Sequence, residues 1–295
     1  MKIKTFIISA ITLFISLYLI IGYHSLKHID KNRIDVSKYI TLVDEVSENK
    51  VQVNWKYVVS IIAVENKNKI KNISDDKIKN TANLFIEKSD NGYKLNSLDN
   101  VLNKLNFTDK EKERVNDYID QLKYFGLTPY RLKEDSKYTK FIEEIKDEAI
   151  KNYKEYKILP SITIAQAILE SSWGESDLAQ IYNNLFGIKA DSSWKGEYVT
   201  LETFEFYDTK IEDKFRVYSN KNQSIKDHAK FLVDNQRYKK YGVFEAKTYI
   251  EQAYALQNAG YSTAEDNSGQ KRYAKDLIEL IRQYNLQLID SEIKI

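Results

Sequence analysis

The first 23 positions differ in pattern from everything that follows. From Thr5 to Tyr23 the chain reads TFIISAITLFISLYLIIGY, an uncharged run of 19 residues with no polar face. That length approaches the roughly 20 residues a helix needs to cross a bilayer core. A cleaved secretory leader would have a shorter apolar stretch and a small-x-small site, and GYHSLKHIDKNR offers none. The pattern predicts an uncleaved membrane anchor over 5–23, preceded by a short N-terminal segment, 1–4. Residues 34–125 contain Gly92 and no proline, which predicts long helices with short joints. VNWKYVVSIIAVENK fits a buried helix by its length. Thr108 and Glu111 form a capping box ahead of Val115, Ile119 and Leu122 at helical spacing. YFGLTPYRLKEDS, with Gly126 and Pro129, is the best boundary, dividing a helical juxtamembrane domain, 24–129, from a second domain, 130–295.

In the second domain Phe141, Ile145 and Ala149 share a helical face, and Pro160 with Ser161 opens another helix. The period then changes. EYVTLETFEFYDTKIEDKFRVYS alternates, with Leu201, Thr203, Glu205 and Tyr207 on one side and Glu202, Phe204 and Phe206 on the other, which predicts a β-hairpin. Ser224 with Asp227 reads as a second capping box. Helices over Thr248–Asn258 and Tyr273–Tyr284 close the domain. The expected class is mainly α (α+β), helices with one inserted hairpin.

Composition narrows the chemistry. There is no cysteine, so disulfides and thiolate chemistry are excluded, and three histidines make a histidine metal site improbable. No metal and no cofactor are expected. A net charge of +2 from 45 basic and 43 acidic residues provides no basic excess for nucleic acid. Twenty-two tyrosines reflect either biased residue usage or surfaces that stack on sugar rings.

What remains is carboxylate chemistry, and one carboxylate is out of place. In AQAILESSWG, Glu170 continues the stripe of Ile162 and Gln166, with Trp173 one turn on. Desolvation beside apolar groups raises a carboxyl pKa. A carboxylic acid that keeps its proton near neutral pH suits glycosidic bond cleavage. The bland alternative is a glutamate at a helix end facing water.

The blocks LPSITIAQAILESSWGESDLAQIYNNLFGIKA, FRVYS, SIKDHAKFL and NAGYSTAEDNSGQKRYAKDLIELI, in that order over about Tyr138–Leu288, closely resemble the bacterial peptidoglycan β-N-acetylglucosaminidases of glycoside hydrolase family 73. The resemblance implies a lysozyme-like fold, with a helical lobe and a small β-hairpin lobe. It also implies that Glu170 is the essential acid, with Trp173 and the turn at Gly174 fixing it. Ser171 and Ser172 would support that turn. The second carboxylate would come from the hairpin, as Glu205, with Glu202 the alternative. Tyr273 would be the family's tyrosine, orienting the N-acetyl group or the acid. Gln166, Trp173, Asn184, Phe186 and Tyr261 would line the sugar site. The family's short ATDPxYA linker is replaced here by the longer STAEDNSGQKRYA, which lacks the proline.

The implied reaction is hydrolysis of the β-1,4 bond between N-acetylglucosamine and N-acetylmuramic acid in peptidoglycan strands. The rivals are a lytic transglycosylase, which leaves anhydro-muramic ends, and a wall-binding scaffold that does not cut. The implied substrate lies outside the membrane, so the expected location is the cell membrane, spanned once, with the N-terminus in the cytoplasm and the domain on the wall side. Residues 24–129 would then set the height of the site or bind a membrane protein.

Overall fold

The computed structural model describes residues 26–90, 92–205 and 209–293, and the side chains of 203–211 fall outside that set. The anchor expected over 5–23 lies outside the described residues, among which no helix is long and apolar enough to cross a membrane. The chain divides into two compact units at Phe125/Gly126, with the short segments Ser47–Gln52 and Asp90–Lys94 grouped with the second.

Up to Phe125 the chain forms α1 (Val36–Ser47), α2 (Trp55–Glu65), α3 (Asp75–Asn83), α4 (Leu98–Lys104) and α5 (Asp109–Gln121), with a small hairpin of β1 (Ile86–Ser89) and β2 (Gly92–Leu95). The expected long helices are instead 7 to 13 residues long, and the hairpin interrupts them. The ambiguous segment is helical: α2 is capped by the Asn54 side chain, which accepts from the Lys56 N–H at 2.9 Å. It is apolar nearly all round because it is the core, with Val58, Val59, Ile61 and Ile62 fully buried between α3 and α5. Each such side chain contributes roughly 1.5–3 kcal/mol. Glu111 accepts the Thr108 N–H at 2.9 Å, closing the capping box that opens α5.

The second unit is built round α7 (Pro160–Ser171), which packs against α6 (Lys137–Tyr156), α11 (Tyr249–Asn258), α12 (Tyr273–Gln283) and α13 (Gln287–Ser291). Every residue of α7 from Pro160 to Ile168 is buried. Such a position leaves the start of the helix without water, and Leu159 at the N-cap has no capping side chain. The cap comes from far along the chain. Asp290 of α13 accepts the Ser161 N–H at 3.0 Å and the Ser161 hydroxyl at 2.5 Å.

Between these helices lie α8 (Asp177–Tyr182), the predicted hairpin of β3 (Tyr198–Glu205) and β4 (Thr209–Arg216), α9 (Lys221–Asp234) and α10 (Gln236–Lys240). The strands pair antiparallel from Tyr198↔Arg216 to Glu205↔Thr209. Arg216 fastens the hairpin base, its guanidinium 2.7 Å from the Asp227 carboxylate and over the Trp194 ring at 4.5 Å. That pairing displaces the expected Ser224–Asp227 capping box. Helix α9 starts earlier, with the Asn220 side chain accepting from Gln223 N–H at 3.0 Å. Ser224 is instead buried, and its hydroxyl accepts the Leu185 N–H. The mainly α class with the β3–β4 hairpin inserted is as expected, while the β1–β2 hairpin is not.

Candidate active site

Helix α7 surfaces only at its last turn. Leu169 is 40% exposed and Glu170 is open to solvent. The chain then makes three consecutive left-handed residues: Ser172 (φ 51°), Trp173 (φ 68°) and Gly174 (φ 73°). For a bulky residue such as Trp173 that conformation costs roughly 1–2 kcal/mol, so the surroundings must hold it. The Trp173 N–H returns to Ile168 O at 3.1 Å. Its ring sits edge-on among Tyr138 at 4.7 Å, Tyr284 at 4.6 Å and Phe141 at 6.1 Å. Ser171 completes the turn: its hydroxyl donates to Ala167 O and accepts the Gly174 N–H at 2.7 Å. With both roles taken, this hydroxyl supports the turn. Only glycine fits at 174, because a Cβ there would lie 2.6 Å from the Phe141 ring.

Glu170 thus stands on a stiff turn with a specific partner. The Tyr273 hydroxyl donates to Glu170 Oε1 at 3.3 Å and accepts from Gln166 Nε2 at 2.9 Å. Water reaches the carboxyl on one side, while protein crowds it on the others. Desolvation pushes its pKa above the usual glutamate value, and the Tyr273 hydrogen bond partly opposes the rise. Tyr273 is buried and stays protonated, its own pKa pushed well up by burial. Its ring stacks on Tyr261 with centroids 5.2 Å apart and planes 21° from parallel.

The remaining expected residues are placed as follows. Gln166 is fully buried and reaches the site only through Tyr273, so it cannot contact a sugar. Asn184 is also enclosed. Its amide donates to Ile188 O and Arg216 O and accepts the Ile188 N–H, bracing the loop before the hairpin. Phe186 is buried and stacks face to face on His228 at 3.9 Å. All three support the site from within. Trp173 is half-buried and works as a peg for the turn, and Tyr261 is half-buried with its ring stacked on Tyr273. Glu202 is exposed on β3 and lies opposite Glu212 in register. Glu205 ends β3, and its side chain lies outside the described residues. Two contributions were not expected: the Tyr138, Phe141 and Tyr284 box, and His228. The latter falls on the apolar stripe Ile225–His228–Leu232 of α9, which is the signal that it faces inward. No group of three or more potential metal ligands exists among the described residues.

The same stretch matches a family model. Residues 146–286 fit the glucosaminidase model, described as mannosyl-glycoprotein endo-beta-N-acetylglucosaminidase. These residues belong to the glucosaminidase family. The glucosaminidase domain is 44% identical over 156 residues to the exo-glucosaminidase LytG of Bacillus subtilis, covering 51% of this chain and 52% of that one. It is 43% identical over 104 residues to the peptidoglycan hydrolase FlgJ of Vibrio parahaemolyticus, covering 33% and 34%. The chain therefore spans about half or less of these relatives' own length. Among solved structures it is similar to the catalytic domain of the autolysin Auto from Listeria monocytogenes, with 33% identity, 62% of this chain and 98% of that chain covered, and a TM-score of 0.45.

Proposed function

We propose that the glucosaminidase domain hydrolyses peptidoglycan at the β-1,4 bond between N-acetylglucosamine and N-acetylmuramic acid, with Glu170 as the general acid. The observation that carries this reading is the environment of Glu170. It is a carboxyl group open to substrate, pushed toward its protonated form by burial, and held by one hydroxyl. Tyr273 donates to Oε1, which leaves Oε2 to carry the proton to the leaving glycosidic oxygen. The tyrosine keeps the acid's rotamer during the transfer. The second carboxylate is Glu205 of the hairpin, which activates water or steadies an oxazolinium formed by the substrate's own acetamido group. Glu202 is the alternative, on the other face of β3. Tyr261, half-buried beside Tyr273, offers a flat face for a sugar ring. The names of the relatives, a glucosaminidase and a peptidoglycan hydrolase, support the substrate class.

We further propose that residues 5–23 anchor the chain in the cell membrane, with the domain on the wall side. The uncharged run of 19 residues supports this, as does the location of the substrate. External protease on intact protoplasts should then degrade the domain, and protection would place it inside.

The deciding experiment is mass spectrometry of purified peptidoglycan digested with the full chain and reduced with borohydride. Reduced N-acetylglucosamine ends, lost with Glu170→Gln, are expected. Release of single sugars rather than shortened strands would make the action exo. Reduced or anhydro-muramic ends would move the cut to the other linkage, and no new ends would leave a domain that only binds wall.

A further inference from the structure

Tyr273 makes the only described hydrogen bond to the Glu170 carboxyl, and the start of its helix is tied by the Ala274 N–H donating to Gln257 Oε1 at 3.0 Å. Residues 262–272, between the two rings, are mostly exposed. Tyr261 is secured elsewhere. Its N–H returns to Leu256 O at 3.1 Å, which pins its backbone to the end of α11. The Arg237 guanidinium holds the neighbouring Gly260 carbonyl at 3.3 Å and the Tyr238 hydroxyl at 2.7 Å. Its phenolic end meets His228 Nε2 at 3.2 Å.

His228 is built to be a fixed post. It is 1% exposed, held flat by Phe186 at 3.9 Å and 8° from parallel. Its Nδ1 is buried and has no hydrogen-bond partner among the described residues. Unpaired buried N–H groups are rarer than unpaired acceptors, which assigns the ring proton to Nε2, donating to the Tyr261 oxygen. The groups facing His228 are Phe186 and Tyr261, both uncharged at neutral pH. Burial pushes its pKa down to about 3, so it stays neutral where wall hydrolysis proceeds.

We propose that His228 is a positioning residue for the acid: through the Tyr261 hydroxyl it fixes the stacked Tyr261–Tyr273 pair, and so the Tyr273 hydroxyl, against Glu170. The proposal rests on reading Glu170 as the acid. His228 acts at two removes and touches no substrate. Loosening it lets Tyr273 tilt away, and Glu170 loses the one hydrogen bond that favours its charged form.

The test uses the full chain with His228→Asn, His228→Gln, Tyr261→Phe and the double variant that combines His228→Asn with Tyr261→Phe. Glutamine places an amide N–H near the Nε2 position and asparagine does not. His228→Asn and Tyr261→Phe should each lower kcat roughly ten- to a hundred-fold with KM nearly unchanged, and move the alkaline limb of the rate upward. The double variant should be no worse than either single one, and His228→Gln should recover most of the rate. Additive losses, or equal losses in the Gln and Asn variants, would overturn the proposal. Carbon-13 NMR titration of the Glu170 carboxyl separates the two readings. An inactive wild-type chain would sink the hydrolase, while an unchanged Glu170 titration in His228→Asn would sink the coupling.

Discussion

The two ends of α7 each meet a carboxyl group, and burial pushes both upward in pKa, but they are built differently. At the N-terminal end Asp290 is enclosed and pushed up to about 7 by desolvation, and both its oxygens are taken by Ser161. At the C-terminal end Glu170 has one long hydrogen bond and an open side. A raised pKa alone would nominate either as an acid. Solvent access and spare hydrogen-bonding capacity distinguish them. Asp290 is a helix cap with nothing left to offer a substrate, while Glu170 keeps an oxygen free.

The largest effect should come from exchanging chemistry for shape at the open end. Glu170→Gln should cut turnover on purified peptidoglycan by about 10²–10⁴-fold while leaving the melting temperature nearly unchanged. A comparable loss from Asp290→Asn would erase the contrast between the two ends. Removing the enclosed group should do the reverse. Asp290→Ala leaves the Ser161 N–H and hydroxyl unpaired in apolar surroundings, at a cost of about 2–3 kcal/mol by denaturant titration, with turnover per folded molecule kept. Gly174→Ala should cost about 2 kcal/mol, since it combines a positive φ with a Cβ 2.6 Å from Phe141.

The pH responses sharpen the same comparison. The Asp290 pKa in the folded chain, about 7, lies above the ordinary 3.8. Between those values the folded state keeps a proton that the unfolded state releases. This group's contribution is therefore full below about pH 4 and lost as pH rises toward 7, at no more than about 1.4 kcal/mol per unit. Thermal melts of Asp290→Asn should lack that slope. In the proposed role of general acid Glu170 must hold its proton, so the rate should fall with rising pH, beyond the range of an ordinary glutamate. The smallest effect is a displacement of that limb: Tyr273→Phe removes the bond that favours the charged form, so the limb should move further up. A downward move would mean the tyrosine does not donate to Glu170.

Much of this was legible along the chain, and the exceptions share a cause. Glu170 stands out because an apolar helix tolerates few carboxylates, and the β3–β4 hairpin announces itself by strict alternation. The β1–β2 hairpin does not: Glu87, Lys88, Tyr93 and Lys94 present little apolar alternation, although Asn91–Gly92 is a hairpin turn signal. Ser224 and Asp227 have capping spacing, but a buried loop and an arginine compete for them more strongly. Support residues were hardest to assign. Gln166 meets Tyr273 across 107 positions, and no local pattern reveals that its amide faces a phenol rather than a sugar. Chemical type suggested ligands where enclosure made braces of Asn184 and Phe186.

The distant cap on α7 sets an order of events during synthesis. Ser161 and Asp290 are 129 positions apart, which at roughly 5–20 residues per second is on the order of ten seconds of translation. Throughout that interval the helix bearing Glu170 has its start uncapped, and neither Tyr261 nor Tyr273 exists when the helix first appears. A nascent chain thus carries Glu170 without its partners. The Tyr273 hydrogen bond and the Asp290 cap are completed only once α12 and α13 have been made.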